Sequence, residues 1–285
     1  MSVKRVGVVG SGIMGGGITE VAALAGHEVV LRSRQLQAAE GTLADISRSL
    51  QKKVDKGTLS PEECAETLGR VRATDNLHDL SDCDLVIESV IEDKATKHRL
   101  FAELDRVCRD GALLATNTST LPVVEMAMET GRPERVCGIH FFNPAPLMGL
   151  VEVVRPLTAD DETIAEAISF VEACGKRAVE VKDRAGFVVN ALLFPYLNNA
   201  VRLLESGVAS MEDIDEAMKG GCGFPMGPFA LLDLIGLDTS LAILEALSAE
   251  YGDANYAPVP RLRRMVAAEL LGRKSGAGFY RYERT

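Results

Sequence analysis

One histidine stands where the sequence predicts the edge of a sheet. His140 follows the apolar run 136–139, which predicts a buried strand that ends at the histidine. Ligands of parallel α/β sheets bind at the carboxyl ends of the strands. Glu152 lies in the next strand candidate, 150–154, and a buried carboxylate bonded to one imidazole nitrogen orients the other as a base. The pair predicts proton-transfer chemistry, and a histidine satisfied within the core is the alternative.

Two more polar residues could join this pair. Ser119 follows the strand candidate 112–115 and should offer its hydroxyl at the same edge. Asn190 lies within an apolar stretch that predicts a buried helix, where its amide needs partners. Those partners are either a reacting group or a neighbouring helix. The other histidines, His27, His78 and His98, are predicted to lie on the surface.

A glycine-rich turn near the N-terminus predicts a dinucleotide site. Residues 10–15, GSGIMG, connect the strand candidate 6–9 to a helical stretch. In such a motif Gly10 permits a tight turn, Gly12 allows the backbone to approach a pyrophosphate, and Gly15 allows close packing of helix on strand. The alternative is a glycine turn with a purely steric purpose.

The residue at the end of the second strand bears on the choice of cofactor. An acidic residue here would bind the ribose 2′-hydroxyl, but the sequence has Ser33 between Arg32 and Arg34. The sequence therefore predicts NAD(P)(H) as the cofactor. NADP(H) is favoured, because no carboxylate would repel a 2′-phosphate and the neighbouring Arg34 guanidinium could bind one. If Arg34 simply points into solvent, this preference disappears.

The elements that position these residues form two predicted domains. Short strand candidates alternate with helical stretches in residues 1–183, which predicts an α/β Rossmann-type, doubly wound and largely parallel sheet. The sequence predicts an inserted helical hairpin at about residues 36–69, and Ser60, Pro61 and Glu63 mark the start of its second helix. Residues 184–285 predict an all-α domain, with helices at 186–205, 211–219, 228–251 and 260–271.

Composition excludes several classes of protein. The 285 residues carry a formal charge of −10, which disfavours a nucleic-acid partner. The longest uncharged run falls short of the ~20 residues that span a bilayer, so no membrane association is expected. The six cysteines form no C-x-x-C pair, which predicts reduced, mostly buried thiols and no metal site. With no targeting segment recognised, we expect a cytoplasmic protein.

The longer motifs resemble those of the 3-hydroxyacyl-CoA dehydrogenases, most closely the bacterial 3-hydroxybutyryl-CoA dehydrogenases. The stretch 140–152, HFFNPAPLMGLVE, is highly specific for this family. The resemblance extends over the whole chain through four further segments, namely NTSTL at 117–121, GFVVN at 186–190, PMGP at 225–228 and GRKSGAGFY at 272–280.

The resemblance implies roles for individual residues. His140 would be the general base and acid, Glu152 its support, and Ser119 and Asn190 the contacts to the reacting oxygen. The implied cofactor contacts are Gly10, Ser11, Gly12, Ile13, Met14, Gly15, Ser33, Arg34, Glu92, Lys97, Asn117, Ser119, Asn143 and Lys274.

The inserted hairpin would bind the phosphates of coenzyme A. It carries a basic cluster formed by Arg48, Ser49, Lys52, Lys53 and Lys56. Of these residues, Ser49 and Lys56 match the coenzyme A contacts of the family. A solvated helix face is the alternative. The resemblance further implies an acyl-CoA substrate such as acetoacetyl-CoA or 3-hydroxybutyryl-CoA, and a homodimer formed through the C-terminal domain.

Two other functions remain open. A dehydrogenase of the same fold could act on a free hydroxy acid or sugar acid, and would not need the basic cluster. A non-catalytic dinucleotide-binding protein could also have this fold, but would not need the polar residues at positions 119, 140, 152 and 190.

Overall fold

The computed structural model describes residues 3–283, and the chain forms two units, Met1–Asp183 and Arg184–Thr285. The first unit contains an eight-stranded sheet of order β3-β2-β1-β4-β5-β6-β7-β8. Its strands are β1 Arg5–Val9, β2 Glu28–Arg32, β3 Val71–Thr74, β4 Leu85–Glu88, β5 Leu113–Thr116, β6 Val136–Phe141, β7 Leu150–Arg155 and β8 Arg177–Lys182. The pairing is parallel throughout except between β6 and β7. The predicted Rossmann-type, largely parallel sheet is therefore confirmed.

Helices pack on this sheet, as expected for a parallel sheet whose strands bury side chains on both faces. They are α1 Ile13–Leu24, α2 Leu36–Asp55, α3 Pro61–Gly69, α4 Lys94–Val107, α5 Val123–Ala127 and α6 Asp161–Ala173. The inserted hairpin consists of α2 and α3. The Ser60 hydroxyl accepts from the Glu63 N–H at 3.1 Å, and the Glu63 carboxylate accepts from the Ser60 N–H at 2.8 Å. This capping box starts α3 at the predicted position.

Strand β3 was not among the strands predicted from sequence. It has four residues, pairs only with β2 at one edge of the sheet, and exposes Arg72. An edge strand this short, with one polar face, lacks the continuous apolar run that marks the central strands of a parallel sheet.

The surface prediction was wrong for His27. Its side chain is buried, with Nδ1 at 3.1 Å from the Val3 carbonyl oxygen and its ring against that of Phe170. Burial lowers the pKa of His27. The side chain that packs on His27, Phe170, belongs to α6, which is distant in the sequence. His78 is exposed, and His98 is half-buried with Nδ1 at 2.9 Å from Glu129.

The second unit is helical, as predicted, with α7 Val189–Glu205, α8 Met211–Cys222, α9 Pro228–Ile235, α10 Leu237–Tyr251 and α11 Pro260–Ala267. The single helix predicted over 228–251 is wrong. Gly236 has a φ of +102°, and this conformation ends α9 and starts α10 in a new direction. The last helix also ends at Ala267 rather than continuing to 271.

Four cysteines, Cys64, Cys83, Cys108 and Cys137, are buried, and no disulfide forms among the described residues. The prediction of mostly buried thiols is confirmed. Burial raises the pKa of Cys137 to about 12. Within residues 3–283, no helix is long and apolar enough to cross a membrane.

Candidate active site

The reversal of chain direction after β6 brings His140 and Glu152 together. Residues 142–149 turn the chain into β7, and the antiparallel register pairs His140 directly with Glu152. The imidazole Nδ1 lies 2.8 Å from a carboxylate oxygen of Glu152, and both side chains are almost fully buried. Because a carboxylate accepts, Nδ1 donates, and the neutral ring then carries its lone pair on Nε2.

Ser119 meets the other side of the same imidazole. Its hydroxyl, on the loop after β5, lies 3.1 Å from Nε2. The Phe142 ring stands edge-on to the imidazole, with 4.6 Å between centroids. Ser119 is only half-buried, so Nε2 and the hydroxyl together form a polar pair that a substrate can approach.

Glu92 holds the loop that carries Ser119. One of its carboxylate oxygens accepts from the Ser119 N–H at 2.9 Å and the Thr120 N–H at 3.3 Å, and also from the Thr118 hydroxyl. Burial acts to raise the pKa of Glu92, but the Lys97 ammonium and these hydrogen bonds outweigh it and lower the pKa. Glu92 is therefore a carboxylate at neutral pH, and it fixes the backbone on which Ser119 lies.

The two asparagines predicted at the cofactor site differ in their surroundings. Asn117 accepts from the Phe141 N–H at 2.8 Å and donates to the Ser89 hydroxyl at 3.3 Å. It therefore ties the end of β5 to the end of β6. Asn143, two residues beyond β6, is exposed.

The glycine turn has the geometry that its motif predicts. Gly10 has a φ of +124°, and a Cβ there would lie 2.3 Å from the Ser89 carbonyl oxygen. A Cβ on Gly15 would lie 1.9 Å from the Gly10 carbonyl oxygen, so α1 packs directly on the turn. A Cβ on Gly12, by contrast, would meet no protein atom within 4 Å. Gly12 precedes α1 without any side-chain cap, which leaves open space at the helix N-terminus, where phosphates bind.

The end of β2 lies beside this turn. The Ser11 hydroxyl donates to the Ser33 hydroxyl at 2.9 Å. Arg32 turns away, donating from Nε to the Asp75 carbonyl oxygen at 3.3 Å. Arg34 is exposed and forms no ion pair with any residue between 3 and 283. Its guanidinium is therefore available to an anionic ligand.

The basic cluster on the hairpin is partly neutralised within the protein. Arg48 pairs with Asp45, and Lys53 pairs with Glu20 at 2.7 Å. Lys56, directly after α2, is exposed and has no carboxylate partner in the described part of the chain. Ser49 is half-buried on the same helix. Of the residues predicted to bind coenzyme A, Lys56 is thus the unpaired cation.

Comparison with known proteins identifies the family. Residues 5–184 match the 3-hydroxyacyl-CoA dehydrogenase NAD binding domain, and residues 186–282 match the C-terminal domain of the same enzymes. The chain belongs to the 3-hydroxyacyl-CoA dehydrogenase family. The resemblance seen in its sequence motifs is confirmed.

Several relatives match this chain over nearly their full length. The 3-hydroxybutyryl-CoA dehydrogenase of Mycobacterium tuberculosis is 47% identical over 287 residues, covering 99% of each chain. The crystal structure of M. tuberculosis FadB2 has a TM-score of 0.97 at 46% identity, covering 99% of this chain and 100% of that one. The structure of (S)-3-hydroxybutyryl-CoA dehydrogenase from Ralstonia eutropha has a TM-score of 0.96 at 40% identity, with the same coverage.

Two of the predicted site residues lie in the second unit. Asn190 is buried in the first turn of α7. The Lys274 ammonium pairs with Asp238 at 2.6 Å. Their contributions to the site remain predictions.

Glu88 was not predicted, although it lies beside two of the predicted site residues, Glu92 and Lys97. It is the last residue of β4 and wholly buried, with Lys97 Nζ at 2.7 and 2.8 Å from its two carboxylate oxygens. An acid that ends an otherwise apolar strand at the carboxyl edge is a signal that the sequence contains. Lys97, predicted to contact the cofactor, is also buried.

Proposed function

We propose that this protein is an NAD(P)-dependent 3-hydroxybutyryl-CoA dehydrogenase, which interconverts the C3 hydroxyl and the C3 ketone of a short-chain acyl-CoA. The observation that carries the proposal is the buried contact of Glu152 with His140 Nδ1 at 2.8 Å, which leaves Nε2 beside the half-buried Ser119. Relatives at 43–47% identity named as 3-hydroxybutyryl-CoA dehydrogenases support the choice of substrate.

The residues of this chain supply the proton chemistry. In the oxidative direction His140 Nε2 accepts the proton of the C3 hydroxyl, and in reduction the same nitrogen returns it. The Glu152 carboxylate stabilises the imidazolium formed in between. The Ser119 hydroxyl donates to the C3 oxygen, and Asn190 is proposed as a second donor. The nicotinamide, when bound, accepts the hydride from C3 or supplies it.

The glycine turn and α1 fit the pyrophosphate of a dinucleotide, because Gly12 leaves the helix N-terminus open. We assign residues 10–15 to the pyrophosphate and Ser33 and Arg34 to the adenosine ribose. Because Arg34 is exposed and unpaired within residues 3–283, NADP(H) is the favoured cofactor. Glu92, Asn117, Asn143 and Lys274 remain proposed contacts to the rest of the dinucleotide.

A steady-state assay with acetoacetyl-CoA tests the function. We expect reduction with NADPH, slower reduction with NADH, and no turnover of free acetoacetate at equal concentration. Activity on the free acid alone would instead support a dehydrogenase of hydroxy acids. Dinucleotide binding without turnover of either compound would support a non-catalytic protein.

Lys56→Ala tests whether the hairpin binds coenzyme A. Loss of one exposed cation from a phosphate contact should raise the KM for acetoacetyl-CoA about tenfold. We expect kcat and the KM for the dinucleotide to stay within twofold. Arg48→Ala is the matched control, because it removes a charge of the same sign from the same hairpin but one already paired with Asp45. Equal effects of the two variants, or none, would count against the proposed site.

We also propose a cytoplasmic homodimer formed through the second unit. Its longest helix, α7, exposes the apolar side chains of Leu192 and Leu203. The two leucines lie about three turns apart on the same face of the helix, and exposed apolar side chains on one face suit an interface between two copies of the chain. Light scattering that returns the mass of one chain at micromolar concentration would exclude the dimer.

A further inference from the structure

The hairpin helix α2 contacts the glycine turn through Thr42. The Thr42 hydroxyl lies 2.7 Å from the Ser11 carbonyl oxygen and 3.0 Å from the Ala38 carbonyl oxygen, which is one turn earlier in α2. A hydroxyl has one proton to donate, and the shorter distance assigns that proton to Ser11. The Thr42 side chain is buried, so water does not compete for this hydrogen bond.

The packing around Thr42 fixes the direction of its hydroxyl. A Cβ on Gly16 would lie 2.9 Å from the Thr42 methyl group, so α1 and α2 approach closely at this point. With its methyl group against α1, the branched side chain holds its hydroxyl toward Ser11. Lys53 Nζ lies 2.7 Å from the buried Glu20 carboxylate and ties α2 to α1 a second time. Helix α2 is therefore a firm support for the turn.

Ser11 needs such a support because both of its neighbours are glycines. Gly10 and Gly12 have the widest backbone freedom of any residue type, and a glycine has no side chain with which to anchor itself. A trans peptide is planar, with its oxygen and its N–H on opposite sides. The bond to the Ser11 carbonyl oxygen therefore also fixes the direction of the Gly12 N–H. The Ser11 side chain is held as well, since its hydroxyl donates to Ser33 at 2.9 Å.

The peptide held by Thr42 leads directly into α1. Gly12 is the residue before the helix, and its carbonyl oxygen accepts the first helical hydrogen bond, from the Gly16 N–H at 2.9 Å. The N–H groups of residues 13–15 are the donors that a first helical turn leaves without a helical partner, and phosphates bind to such donors. A free Ser11 carbonyl could rotate toward the phosphates, and its partial negative charge would then repel them.

We propose that Thr42 is a positioning residue for the dinucleotide, whose hydroxyl holds the Ser11–Gly12 peptide so that the first N–H groups of α1 stay open to the pyrophosphate. The inference rests on the proposed function, because it takes residues 10–15 as the pyrophosphate site. A turn that is ordered before the ligand arrives loses less entropy on binding. Since NADH and NADPH share the pyrophosphate, Thr42 acts on both dinucleotides equally.

The variants Thr42→Val and Thr42→Ser separate the hydroxyl from the methyl group. Valine keeps the branched shape but cannot donate, so we expect calorimetry to give a Kd about fivefold higher for NADH and for NADPH alike, as for the loss of one hydrogen bond. Serine keeps the donor, and both Kd values should stay within twofold of the wild type. The kcat for acetoacetyl-CoA at saturating NADPH should not fall in either variant, because the hydrogen bond acts on cofactor binding rather than on proton transfer.

Thr67→Val is the matched control on the same hairpin. Thr67 is buried in α3, and its hydroxyl donates at 2.7 Å to the Glu63 carbonyl oxygen one turn earlier. The variant removes a buried hydroxyl from the hairpin but no bond to the glycine turn. Both Kd values should therefore equal those of the wild type. A loss of affinity as large as that in Thr42→Val would overturn the proposal in favour of a general effect on the hairpin.

The remaining outcomes are equally decisive. Weaker binding in Thr42→Ser with wild-type affinity in Thr42→Val would show that packing of the methyl group on Gly16 matters and the hydroxyl does not. A loss confined to NADPH would place the effect at the ribose. Either result overturns the proposal. Wild-type affinity in both variants removes the role of Thr42 but leaves the proposed function intact, whereas a wild-type protein that binds neither dinucleotide overturns the proposed function and this inference with it.

Discussion

His140→Gln is expected to lower kcat for acetoacetyl-CoA by about 10³-fold, within the range for loss of a general acid or base. Glutamine is close to the imidazole in size and can still hydrogen-bond to Glu152 and Ser119, which flank the ring at 2.8 and 3.1 Å. It cannot carry the proton that must move to or from the C3 oxygen. Calorimetry should therefore give a dinucleotide Kd within twofold of the wild-type value.

Two further variants sharpen this prediction. Glu152→Gln keeps a hydrogen-bond partner for Nδ1 but removes the negative charge that fixes the tautomer and stabilises the imidazolium, so a large loss of kcat is expected here too. His78→Gln, at an exposed position, should have no effect. A kcat near the wild-type value in His140→Gln would remove His140 from the mechanism and leave its contact with Glu152 as a feature of the core.

The sequence alone could place His140 and Glu152 on neighbouring strands, but it could not supply their register. The apolar run before His140 marks the end of β6, and that signal is local. Direct pairing with Glu152 depends on β7 running antiparallel to β6, which follows from how residues 142–149 turn the chain. The same reversal places the first half of β7 at the carboxyl end of β6, where ligands of such sheets bind.

Burial of charged side chains is what sequence pattern predicted least well. Lys97 lies in a polar helical stretch, and that pattern alone predicts a lysine in solvent. Its burial is tolerable only because its ammonium contacts the carboxylates of Glu88 and Glu92, and because Thr116 donates a further hydrogen bond to Glu88. Likewise His27 follows a turn, and its cover comes from Phe170 on α6. In both cases the partners come from other elements, so no local periodicity contains the information.

Gly236 illustrates the same difficulty in the second unit. The apolar pattern of 228–251 suits one helix, and a lone glycine costs a helix only about 1 kcal/mol. The break arises because Gly236 adopts a φ of +102°, and the Leu237 N–H donates to the Leu271 carbonyl oxygen at 3.2 Å. That partner is more than thirty residues away in the sequence, so the pattern could not reveal it.

Ser33→Asp is expected to change the ratio of kcat/KM for NADPH to that for NADH by about 10²-fold in favour of NADH. The Ser11 hydroxyl lies 2.9 Å from that of Ser33, so a carboxylate at position 33 would stand beside the glycine turn. It would accept a hydrogen bond from a ribose 2′-hydroxyl and repel a 2′-phosphate. Two unit charges about 4 Å apart near a protein surface interact by roughly 1–4 kcal/mol, and each 1.4 kcal/mol corresponds to about tenfold.

Controls for this prediction separate charge from shape. Ser33→Ala removes the hydroxyl without adding charge, so the ratio should change less than threefold. Arg34→Ala removes the exposed guanidinium, which has no ion-pair partner among residues 3–283, and should lower kcat/KM for NADPH about tenfold while that for NADH stays constant. An unchanged ratio in Ser33→Asp would mean that residue 33 does not face the ribose. An unchanged NADPH rate in Arg34→Ala would leave Arg34 in solvent and remove the physical basis for favouring NADP(H).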